Sequence, residues 1–128
     1  MILPLEEGEN RMDFSTIELE KAISLISSTI TNCEKMLHKF AEGTSQHSLL
    51  KSRIKALYIS KELLSGNKTI SYTSKELTDA LPPIISIINK TTKAQSKYEI
   101  GSIQFNRLQH IIQAMIIART YFENQING

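Results

Sequence analysis

Apolar residues recur along this chain in alternating steps of three and four. The first run is Leu19, Ile23, Ile26, Ile30, Cys33, Leu37 and Phe40. Such spacing lays one stripe along one face of an α-helix, in the register of helices that pack lengthwise. A second run, Leu50, Ile54, Leu57 and Leu64, carries Lys61 at a seam position. A third, Leu77, Leu81, Ile84 and Ile88, turns polar at Thr91 and Gln95 before Tyr98. The fourth is Leu108, Ile112, Met115 and Phe122, with Arg119 in the seam. The pattern predicts an all-α chain of four helices.

The third and fourth stripes restate the first and second. Residues 72–123 superpose on residues 14–65 at an offset of 58 with no gap, pairing Glu18 with Glu76, Ile26 with Ile84, Gly43 with Gly101, Gln46 with Gln104 and Ala56 with Ala114. Self-similarity of this length implies one structural unit used twice. The expected architecture is a four-helix bundle of two tandem αα-hairpins, related by a pseudo-twofold axis. Repeat one covers 14–65 and repeat two 72–123, within a single domain at 13–128. Residues 1–12 read as a flexible arm.

Local signals mark the ends of the unit. Ser15 with Glu18, and Thr73 with Glu76, fit the S/T-x-x-E capping box. Gly43 and Gly101 are expected to stop the first and third helices, with Thr44 and Ser102 capping the next ones. Turns this short force antiparallel neighbours. Pro82 and Pro83 predict a kink or break in the third helix, which restarts at Pro82. Gln46 and Gln104, just inside the second and fourth helices, are expected to tie each turn to the preceding helix. On that reading, Gln104→Ala lowers the unfolding midpoint. Lys61 and Arg119 run their stems along the core and expose their charges near helix C-termini, where the dipole favours them.

Composition adds few constraints. The 128 residues are 41% hydrophobic and 22% charged, with a net charge of +2. That balance suits a globular chain and names no partner. Cys33 is the single cysteine, so no internal disulfide is possible. No apolar run is long enough to span a membrane. The start lacks a basic stretch and carries Glu6, Glu7 and Glu9, unlike a secretion signal. A cytoplasmic location follows as the default. The wealth of Ile, Lys and Asn suits an AT-rich bacterial or phage genome.

No residue set converges on catalysis. His38, His47 and His110 lack ligand spacing, and zinc needs three or four convergent ligands. Cys33 sits on an apolar seam, where it serves as a small hydrophobe. The five glycines are scattered and form no phosphate loop. The chain therefore reads as non-enzymatic, without cofactor or metal.

Differences between the repeats point to contact surfaces. From the first unit to the second, Ser27 becomes Ile85, Thr29 becomes Ile87, His47 becomes Phe105, Arg53 becomes Ile111 and Tyr58 becomes Ile116. The fourth helix is apolar over most of its circumference, which buries it among several neighbours or in an interface. The leading expectation is a small protein–protein interaction or regulatory module that self-associates, as a homodimer, through Ile85, Ile87, Phe105, Ile111 and Ile116. One alternative is a nucleic-acid-binding regulator contacting phosphates through Lys51 and Lys55. Another is a small-molecule site between the hairpins, near Thr91 and Gln95.

Overall fold

The computed structural model describes residues 14–66 and 71–128. The expected arm at 1–12 and the centre of the inter-hairpin linker lie outside the described residues. Four α-helices follow one another: α1 (Thr16–Leu37), α2 (Ser45–Leu64), α3 (Ser74–Gln95) and α4 (Ile103–Asn127). Their packing is that of a four-helix bundle.

Both capping boxes form. Ser15 Oγ accepts from the Glu18 amide at 3.0 Å, and the Glu18 carboxylate accepts from the Ser15 amide at 2.8 Å. Thr73 and Glu76 exchange the same two bonds at 3.0 Å each. Thr44 and Ser102 cap α2 and α4, each accepting from the amide three residues on. A cap of this kind contributes about 1 kcal/mol.

The helices end earlier than their glycines suggest. α1 stops at Leu37 and α3 at Gln95, and each then tightens into three-residue turns. Lys39 donates to the Met36 carbonyl and Phe40 to that of Leu37; Lys97 donates to Ala94 and Tyr98 to Gln95. Gly43 and Gly101 lie at the far end of these turns, at φ +89° and +90°, directly before the next cap. Their task is to launch the following helix rather than to stop the preceding one. An added Cβ at either would meet nothing within 4 Å. Backbone conformation, not space, calls for glycine here.

α3 runs unbroken through Pro82 and Pro83, which corrects the expected break. The prolines leave the carbonyls of Thr78 and Asp79 without their helical donors. Both residues are exposed, so water reaches those carbonyls.

α2 and α4 each touch the three other helices, whereas α1 and α3 touch only the inner pair and not each other among the described residues. This explains the stripe widths. α1 buries the narrow set Leu19, Ala22, Ile26, Ile30 and Cys33, while α4 buries Ile112, Ala114, Met115, Ile117, Ala118, Tyr121 and Phe122. The fully buried side chains Leu19, Ile26, Leu57, Leu64, Ile84, Met115 and Phe122 make one core. Each contributes about 1.5–3 kcal/mol on leaving water. The start of α1 meets the end of α4, where the Phe14 and Tyr121 rings stack with centroids 6.4 Å apart. The hairpin turns at 38–44 and 96–102 therefore share the opposite end of the bundle.

Candidate functional site

The bundle divides the five diverged positions by depth. Ile87 belongs to the core, only 7% exposed, and Ile111 packs against it. Ile85 and Phe105 are half-buried without joining the core, and Ile116 remains 37% exposed. The core thus absorbs two of the five and leaves three nearer the surface.

Of those three, Ile85 stands on α3 and Phe105 and Ile116 on α4, and Ile116 also lines the groove between α1 and α4. In the first hairpin, Tyr58 Oη donates to the Glu34 carboxylate at 2.8 Å, so these positions face each other across the outer side of α1 and α2. Their counterparts across α3 and α4 are Ile116 and Thr92. Ile85 precedes Thr92 by seven residues, two helical turns on the same flank. Phe105 precedes Ile116 by eleven residues, three turns along one face of α4. The hydrogen-bonded pair Tyr58–Glu34 of the first hairpin is thus replaced by Ile116 and Thr92 in the second.

A groove of about 500 Å³ opens between the first half of α1 and α4. Ala22, Leu25, Ala114 and Ile117 form its apolar floor, with Glu18, Lys21 and His110 at its rim. It lies between the hairpins; Thr91 and Gln95, where the polar turn of the seam suggested a ligand site, do not line it, but Gln109, which accepts from Gln95, does.

Gln95 has another role. It is 8% exposed, and its Nε2 donates to the Phe105 carbonyl at 3.2 Å and to Gln109 Oε1 at 2.7 Å. One amide thereby fastens the end of α3 to the first turns of α4. Gln46 and Gln104, expected to make such ties, are exposed and form no hydrogen bond among the described residues. The first hairpin has Leu37 at the position of Gln95 and Lys51 at that of Gln109, so the lock belongs to the second hairpin alone.

The remaining candidates separate. Lys55 pairs with Glu76 at 3.4 Å, while Lys51 is exposed near the turns. The basic pair therefore divides between an intramolecular contact and a free cation. Backbone hydrogen bonding at Thr73, aided by Lys55, holds the Glu76 carboxyl below its usual range. Lys61 and Arg119 are half-buried, as stems along a core edge require. His38 and His110 are exposed and His47 half-buried, and no three His, Cys, Asp or Glu residues gather in metal-binding geometry among the described residues. Burial pushes the Cys33 thiol up; Arg53 opposes this and Glu34 adds to it. No described helix is long and apolar enough to cross a membrane.

The sequence also held a signal at the turns. Where the first hairpin has Glu42 and Ser45, the second has Ile100 and Ile103, exposed by 88% and 84%. A comparison confined to the helical stripes passes over both.

No family model, no curated protein and no solved structure matches this chain.

Proposed function

We propose that this protein is a non-enzymatic interaction module that pairs with a second copy of itself along the outer seam of α3 and α4. The supporting observation is that Ile85, Phe105 and Ile116, on α3 and α4, lie outside the core, where the first hairpin has Ser27, His47 and Tyr58. Folding alone gives no reason to place three large apolar side chains there. A twofold pairing covers them with the same surface from the partner copy, which is the commonest closure for a homodimer.

The test is the solution mass by size exclusion with light scattering over a wide range of protein concentration. The wild type is expected to approach twice 14.5 kDa as concentration rises. The variant I85S+F105H+I116Y, which copies the first hairpin, should stay monomeric with an unchanged helical signal. A wild type that remains monomeric throughout refutes the pairing.

A further inference from the structure

We propose that the turn end of the bundle docks on an anionic membrane surface, with Ile100 and Ile103 entering the headgroup layer and lysines from both hairpins facing the lipid charge. Two independent features meet there.

The first is charge. The matched segments 35–51 and 93–109 hold six cations, Lys35, Lys39, Lys51, Lys93, Lys97 and Arg107, against two carboxylates, Glu42 and Glu99. All other described residues carry seven cations and seven carboxylates. The net charge of +4 is thus confined to the turn end. All six cations are exposed, and none makes an ion pair or side-chain hydrogen bond among the described residues. The ion pairs Lys55–Glu76 and Lys75–Asp79 lie outside these segments. Unpaired cations spaced within about a Debye length reinforce one another's field.

The second is apolar exposure. Among the described residues, eight large hydrophobic side chains are exposed, and five of them fall in these two segments: Met36, Leu49, Tyr98, Ile100 and Ile103. Ile100 and Ile103 flank the tip of the second turn and are the most exposed of all. The backbone beneath them is fixed by the Gly101 turn, the Ser102 cap and the Gln95 lock.

Together these features select the occupant. A second copy would set one +4 end against another. A nucleic acid meets the lysines but leaves two isoleucines without a partner, since phosphate contact is electrostatic. A bilayer meets both: anionic headgroups attract the lysines, and the interface takes protruding aliphatic side chains without a preformed pocket.

The test is flotation of the full chain with vesicles of phosphatidylcholine, with and without phosphatidylserine. Binding is expected only with phosphatidylserine, and it should fall as salt rises. K93Q+K97Q should weaken it about 25-fold, at about fivefold per lysine. I100S+I103S keeps every charge and should weaken it about tenfold or more. Both variants alter exposed side chains, and unchanged helical circular dichroism shows that they fold. In I103W, tryptophan emission should shift to the blue with the anionic vesicles. No flotation at low salt, or flotation indifferent to I100S+I103S, overturns the proposal. So does capture on double-stranded DNA as strong as on vesicles and equal for wild type and I100S+I103S, which would assign the surface to polyanions.

Discussion

Replacing Gln95 tests whether the second hairpin is held by a buried amide or only by its apolar stripe. Gln95→Ala removes two hydrogen bonds and one buried methylene. The net worth of a hydrogen bond is about 1 kcal/mol, and neither acceptor is left badly stranded. The Phe105 carbonyl sits inside α4, where the helix supplies its own donor, and half-buried Gln109 can turn to water. The polar loss is therefore about 1–2 kcal/mol. The methylene adds up to about 0.8 kcal/mol, less where the cavity relaxes, for a total near 2 kcal/mol. Gln95→Leu, the residue of the first hairpin, restores the apolar stem and should cost only the polar part. Gln104→Ala, at an exposed residue without bonds, should leave the midpoint in place. Urea unfolding followed by circular dichroism gives all three values, and a cycle with Gln109→Ala should show a coupling of about 0.5–1.5 kcal/mol. A Gln95→Leu variant at least as stable as wild type, or no coupling to Gln109, refutes the lock.

Two further outcomes follow from the geometry. Gly43→Ala and Gly101→Ala should each cost about 1 kcal/mol for the left-handed backbone, because the two turns share one conformation and neither is crowded; a loss at only one of them contradicts this. Tyr72 hydrogen-bonds Glu62, and that bond, burial and the charges of Glu62 and Glu76 push its phenol up from 10 to about 12. The folded state thus holds the proton more tightly. The resulting stability is fully present below pH 10 and lost as pH rises through about 12. Ultraviolet titration should show a tyrosine titrating near 12 that Tyr72→Phe removes, and that variant should flatten the stability profile across the same window.

Stripes and caps were legible because their causes are local. A seam at three-and-four spacing and a hydroxyl three residues before a glutamate need no knowledge of the rest of the chain. The glycines were placed too early because a glycine ending one helix and a glycine launching the next leave the same mark in a short turn. The prolines misled because breaking a helix depends on whether the freed carbonyls find water, which only the bundle decides. Ile87 and Ile111 illustrate the limit for the candidate site. Their apolar character was plain, but their absorption into the core depends on which helices lie inside, and the repeat treats α2 and α4 as ordinary members. Gln95 was visible as a polar residue in an apolar stripe; its partners ten and fourteen residues ahead were not.

The second turn inverts ordinary burial over a few residues. An amide is enclosed at Gln95 while two isoleucines stand in water at 100 and 103. Partition alone favours the opposite, and the first hairpin shows that the frame accepts it: Leu37 packs against the core, and Glu42 and Ser45 are exposed around the same positive-φ glycine. The inversion is therefore not imposed by the turn. Changes between the hairpins also run both ways, since Leu49 in the first is matched by Arg107 in the second. A general drift towards apolar residues does not account for the isoleucines. On the proposed reading, the arrangement serves to display the two isoleucines. The Gln95 bonds fix the end of α3 to α4, so the apolar tip is held on a rigid base and loses little further freedom when it is covered. A buried polar lock beneath an exposed apolar tip is the order expected of a contact element, and the reverse of what folding alone requires.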